Sequence, residues 1–136
     1  MQVEQLIGWS EHESRTNELL SVWTTFFGKI SFMNNIEITD EPLEINWLSY
    51  KFKIKKHIVL WENEFVYHIK ISAIVFDKEV DAIDMFLDRH ATLSVPRMEN
   101  LGYGTLNLNL IGNQAFELYI KKILSEFLLD SDFFNA

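Results

Sequence analysis

Histidines and their neighbours are the first place to look for metal or acid–base chemistry in this chain. The four histidines are His12, His57, His68 and His90. His57 and His68 fall on one face of a predicted hairpin as diagonal neighbours, close enough to share a metal ion. A zinc site needs a third and usually a fourth ligand, and Lys70 beside this pair disfavours a cation. The pattern therefore predicts solvated histidines and no metal site.

Residue types that could act as nucleophiles do not occur in a catalytic arrangement. The chain has no cysteine, and serine does not occur in a G-x-S-x-G frame. Asp88, Arg89 and His90 are adjacent, and adjacent residues on the helix predicted there do not face one another. We therefore predict that the protein is not an enzyme and needs no cofactor.

Aspartates recur every three or four residues after the predicted hairpin, which is the spacing of one helix face. Their simplest interpretation is the solvated side of an amphipathic helix, and their functional interpretation is a patch that engages a basic partner. Large apolar residues that the pattern leaves unburied, including Phe76, also suit a partner surface. The predicted partner-binding residues are Asp77, Asp81, Asp84, Asp88, Trp61, Phe133 and Phe134.

Composition sets the class of protein. A chain of 136 residues with 48% hydrophobic and 14% aromatic content buries enough apolar surface to fold as one domain. No apolar run approaches the roughly 20 residues of a membrane span. The net charge of −8 argues against nucleic-acid binding, which relies on cationic side chains. The lack of cysteine favours a cytoplasmic location.

The element that organises the chain is a long β-hairpin, predicted over about residues 50–61 and 65–76. Apolar and polar side chains alternate with period 2 in both arms, which places them on opposite faces of a sheet. Matching the apolar faces pairs Leu60 with Tyr67 and leaves Asn63-Glu64, or residues 62–65, as the loop. The opposite face would present Lys51, Lys53, Lys55, His57, His68 and Lys70 to water.

Helices are predicted on either side of this hairpin. A capping box at Ser10 and Glu13 starts a helix over about 11–32, Asp77 caps one over about 78–90, and Asn113 caps one over about 114–129. Short strands are predicted at 36–38, 43–47, 91–95 and 105–111. The predicted fold is a single α+β domain, residues 1–136, with three helices packed mainly on one face of an antiparallel sheet.

Three functions remain open at this stage. The leading hypothesis is a stoichiometric inhibitor of the immunity-protein or phage anti-defence type, which binds a protein with a basic surface. The element order, small size and acidity resemble those of class I type III secretion chaperones, which implies a homodimer that wraps an extended effector segment. The third possibility is a small-molecule binder or enzyme whose pocket between sheet and helices uses Tyr50, Tyr67, Tyr103, His68 or Asn107.

Overall fold

The computed structural model describes residues 13–96 and 104–130. Each of its seven strands pairs antiparallel with the next, so the order in the sheet follows the order in the chain. The predicted α+β class with an antiparallel sheet is confirmed. The elements are α1 (Glu13–Ser31), β1 (Glu37–Thr39), β2 (Glu44–Trp47), β3 (Tyr50–Trp61), β4 (Glu64–Val75), β5 (Lys78–Leu87), β6 (Thr92–Ser94), β7 (Thr105–Asn107) and α2 (Asn113–Asp130).

The long hairpin is confirmed as β3 and β4, each of 12 residues. Its predicted register is wrong by two residues, because Leu60 pairs with Phe65 and not with Tyr67. The loop consists of Glu62 and Asn63, whose φ values of 51° and 65° form the tight turn that suits the twist of paired strands. A shift of two residues leaves every side chain on its predicted face.

The predicted helix over residues 78–90 is wrong, because this segment forms β5 and pairs with β4. Val80 pairs with Ala73, and Ile83 pairs with Ile71. A β-bulge between these two pairs leaves Val80 and Ile83 on the same face of the sheet, three residues apart. That spacing imitates the period of a helix, which explains the error.

The other two predicted helices are confirmed as α1 and α2, and the described residues therefore contain two helices, not three. α1 packs on one face of the sheet, where the rings of Trp23 and Tyr67 lie 5.7 Å apart. α2 packs against α1 through an edge-on contact of Phe26 with Phe116 at 6.1 Å. The face that carries Tyr67 is the inner face, and buried residues of both helices and of this face form one hydrophobic cluster.

The short predicted strands are confirmed as β1, β2, β6 and β7, although β7 ends at Asn107 and not near residue 111. Beyond it, the chain turns so that the backbone N–H of Leu108 donates to the carbonyl of Ala91 at 2.8 Å. Neither described helix has the length and apolar character needed to cross a bilayer.

Replacing Phe26 tests the core at the junction of the two helices. Phe26 is 0% exposed, whereas Phe32, just past the end of α1, is 71% exposed. Because Phe26→Ala leaves a cavity, we expect it to lower the free energy of unfolding by about 3–5 kcal/mol in urea titration. Phe32→Ala is the matched control and should change that free energy by less than about 0.5 kcal/mol. Equal effects of the two substitutions would contradict this packing.

Candidate functional site

Lysines of the hairpin lie on the outer face of the sheet, as predicted, and acids of the neighbouring strands pair with them. The Glu79 carboxylate lies 3.5 Å from the ammonium of Lys53 and 3.3 Å from that of Lys55. Glu44 lies 4.0 Å from Lys51. The lysines hold the pKa of the Glu79 carboxyl below its usual range, chiefly through the hydrogen bond from Lys55. The charge of the hairpin is therefore partly neutralised within the sheet.

An aromatic stack on the outer face contains one of the predicted partner-binding residues, Trp61, and a second, Asp84, contacts it. The Trp61 ring stacks on Phe86 at 4.3 Å, and Phe86 stacks on His68 at 4.9 Å. Nε2 of His68 lies 2.8 Å from a carboxylate oxygen of Asp84. Trp61 and Asp84 are thus brought together, but their contacts lie within the fold.

The other predicted aspartates are spread along β5 and the turns at its two ends. Asp77 lies in the turn between β4 and β5, whereas Asp88 follows the opposite end of β5. Asp88 accepts hydrogen bonds from the backbone N–H groups of His90 and Thr92, at 2.8 and 3.0 Å, and so shapes the next turn. Asp81 lies within β5. The described residues do not include Phe133 and Phe134.

The predicted metal pair is closer than its diagonal placement implied, because His57 and His68 are direct cross-strand partners. His68 is engaged with Asp84. Within residues 13–96 and 104–130, no three side chains of His, Cys, Asp or Glu are placed to hold a metal ion.

Three of the polar groups predicted to line a small-molecule pocket, Tyr67, Asn107 and His68, are engaged in separate parts of the described structure. Tyr67 is buried in the core beneath Trp23, and this burial raises the pKa of its phenol. The Asn107 amide donates to the carbonyl of His90 and so holds a turn. His68 lies on the outer face, and Tyr103 is outside the described residues.

Three successive hairpin turns have an unusual backbone for their residue types. Each is a two-residue loop in which both residues have positive φ, a conformation that Gly, Asn and Asp tolerate best. Leucine and phenylalanine are disfavoured there, by roughly 1–2 kcal/mol per residue, because Cβ crowds the following carbonyl. The residues are Leu48, Ser49, Glu62, Asn63, Phe76 and Asp77.

Two of these turns place apolar side chains in solvent at the same end of the sheet. Leu48 is 62% exposed and Phe76 is 94% exposed. The pairing of Lys51 with Ile74 brings the two turns to one end, and the strand spacing puts them roughly 10 Å apart. We call Leu48 and Phe76 the apolar end. Neither their exposure nor their backbone conformation benefits the isolated fold, which makes them candidates for contact with another molecule.

A groove of about 490 Å³ opens beside Leu48, between the start of β1 and the turn from β2 to β3. Its walls include the apolar side chains of Ile36 and Trp47 and the carboxylate of Glu37. The groove extends the apolar end toward the edge of the sheet.

Acidic side chains follow that edge. Glu37, Asp40 and Glu41 are exposed, and none forms an ion pair with a cation in the described part of the chain. Asp40 does act on Lys56, whose pKa is lowered by burial and raised to a smaller extent by that carboxylate. The Lys56 ammonium lies 4.0 Å from the ring centre of Trp23. We call Glu37, Asp40 and Glu41 the acidic edge.

A second groove, of about 430 Å³, lies between α1 and the residues after β5. Arg89, Ser21 and Asn109 contribute polar groups to it, and Glu18 contributes a carboxylate. Nε of Arg89 is buried without a hydrogen-bond partner, 3.6 Å from a carboxylate oxygen of Glu64.

Sequence patterns carried partial signals for this surface. Phe76 stood out as an apolar residue that the alternation left unburied. Leu48 lies between Ile45 on β2, where odd-numbered residues are buried, and Phe52 on β3, where even-numbered residues are buried. A change of this kind requires an intervening turn.

Comparison with known protein families, curated proteins and solved structures finds no match to this chain.

Relieving the turn strain at Phe76 should stabilise the protein. Asparagine tolerates positive φ, so we expect Phe76→Asn to raise the free energy of unfolding by about 1 kcal/mol in urea titration. Leu110, which is 87% exposed and has no positive φ, supplies the control. Leu110→Asn should change that free energy by no more than about 0.5 kcal/mol. A loss of stability in Phe76→Asn would show that the phenyl ring serves the fold.

The Glu79 ion pairs predict a pH dependence. The folded pKa of Glu79 lies below its unfolded value, so the stabilisation is present at neutral pH and is lost as the pH falls through the lowered pKa. The difference in unfolding free energy between wild type and Glu79→Gln should therefore be largest near neutral pH and shrink toward pH 3. Glu62→Gln, at an exposed turn position without an ion pair among the described residues, should show no such trend. A difference that grows in acid would contradict the assignment.

Proposed function

We propose that this protein is a non-catalytic binding module that inhibits a protein partner by forming a stoichiometric complex. The apolar end is the observation that carries the proposal. Leu48 and Phe76 are exposed on a backbone that opposes their residue types, so their presence is better explained by contact with a partner than by folding. Exposed apolar and aromatic side chains are the usual anchors of protein interfaces.

The acidic edge favours a partner with a basic surface. Glu37 lines the groove at Leu48, Asp40 and Glu41 follow the other end of β1, and the whole chain carries a net charge of −8. Charge of this kind steers association more than it adds affinity, so complex formation should be faster at low salt. Immunity proteins and phage anti-defence factors are inhibitors of this general type, and a cytoplasmic partner fits the absence of cysteine.

The chaperone-like alternative loses part of its support. Its resemblance was based on the order of helices and strands, and one of the helices in that order is the strand β5. The alternative of a homodimer wrapped by an effector segment therefore ranks below the inhibitor.

A small-molecule binder is the second candidate, and the groove at Arg89 is the observation that favours it. The Arg89 guanidinium, whose Nε forms an ion pair with Glu64, lies next to a hydroxyl and an amide in this groove, and such a group suits a carboxylate or phosphate. Titration with phosphate and with acetate, followed by the amide signal of Asn109, would support this candidate if Arg89→Gln abolished the response.

Paired capture from lysate of the source organism tests the inhibitor proposal. Wild type should retain a partner at a 1:1 ratio, and Leu48→Asn/Phe76→Asn should lose it, although this double variant is expected to be the more stable protein. Leu110→Asn is the matched control and should retain the partner. Retention of the same partner by the double variant, or loss from the control, would contradict the proposed surface. Addition of wild type at a 1:1 ratio should also abolish the activity of the captured partner.

A further inference from the structure

We propose that the partner contributes an extended basic segment that pairs with β1 as an additional strand. This inference rests on the proposed function and specifies how the partner is recognised. It concerns the acidic edge and the backbone of β1, whereas the apolar end carries the proposed function itself.

The backbone of β1 lies at the edge of the described sheet. Glu37, Ile38 and Thr39 pair with β2 on one side, and β1 is the terminal strand of the sheet among the described residues. On its other side, no strand of residues 13–96 and 104–130 pairs with it. β1 is short and carries the charged Glu37, which are two of the protections that edge strands use, but lysine, proline and a bulge do not occur between Glu37 and Thr39.

The negative charge of the edge favours an added strand with basic side chains. Glu37, Asp40 and Glu41 place three carboxylates within five residues, which repels an acidic strand and attracts a basic one. Lys56, which Asp40 influences, has its ammonium over Trp23, on the inner face of the sheet. Lys51 and Lys53 on β3 form ion pairs with Glu44 and Glu79. The edge therefore discriminates between segments by the sign of their charge.

The groove beside Leu48 sets the length and pattern of the segment. It opens at the start of β1, whereas Asp40 and Glu41 follow the end of β1. An added strand of about five residues spans this distance at roughly 3.4 Å per residue. It would place an apolar side chain near Ile36 and Trp47 and its lysines or arginines near the two carboxylates. Main-chain hydrogen bonds would supply affinity, and the groove and acids would supply specificity.

Two peptides of equal charge test the inference. The first is a ten-residue peptide that alternates lysine and valine, and the second is the same peptide with alternate backbone nitrogens methylated. Binding to the full ¹⁵N-labelled chain is followed by the amide signals of residues 37–39. We expect the unmodified peptide to shift these signals and the methylated peptide to bind at least about tenfold more weakly, because it lacks the hydrogen-bond donors.

Charge variants separate failure of this inference from failure of the proposed function. Asp40→Asn/Glu41→Gln should weaken binding of the unmodified peptide, whereas the matched control Glu18→Gln/Glu62→Gln should leave that binding unchanged. Equal binding of the two peptides, or no response at residues 37–39, would overturn the strand pairing. If strand pairing failed but Leu48→Asn/Phe76→Asn lost the captured partner, the proposed function would still stand. If that variant retained the partner, the proposed function and the strand pairing that rests on it would both be contradicted.

Discussion

β3 and β4 pair along nearly their whole length, and this pairing is the constraint on which the other elements depend. The inner face of this hairpin is the surface that α1 covers, with Trp23 against Tyr67. β2 pairs with the outer edge of β3, and β5 pairs with the outer edge of β4. Because each of these connections is a two-residue turn, the strands stay in register with their neighbours and the meander continues across the sheet. A register error in this hairpin by one residue would expose the core side of every strand that follows.

The same tight turns create the candidate binding surface. They demand positive φ at both positions, yet two of them hold Leu48 and Phe76, whose side chains lie in solvent. In contrast, the polar and aromatic groups of the outer face are largely satisfied by one another, through the ion pairs of Glu79 and the stack of Trp61 on Phe86. The apolar end and the acidic edge adjoin at Glu37, which lines the groove beside Leu48.

Much of the architecture could be predicted from the sequence, because period-2 alternation determines which face each hairpin residue occupies. Two features could not. The bulge opposite Ser72 places Val80 and Ile83 on one face three residues apart, which imitates the period of a helix. The aspartates predicted to share one helix face are instead spread along β5 and the turns at its two ends. The turn at Leu48 was hidden because leucine and serine are not typical turn residues at positive φ. The predicted roles of Phe133 and Phe134 remain predictions.

Photo-crosslinking in the source cells tests most directly whether the apolar end is a binding surface. A benzophenone amino acid at position 76 would replace one exposed aromatic side chain by another, and the same group at position 110 serves as the comparison. We expect a covalent adduct of one defined mass from position 76, which excess unlabelled wild type should suppress by competition, and no adduct from position 110. Absence of an adduct at position 76, or the same adduct from both positions, would contradict this expectation.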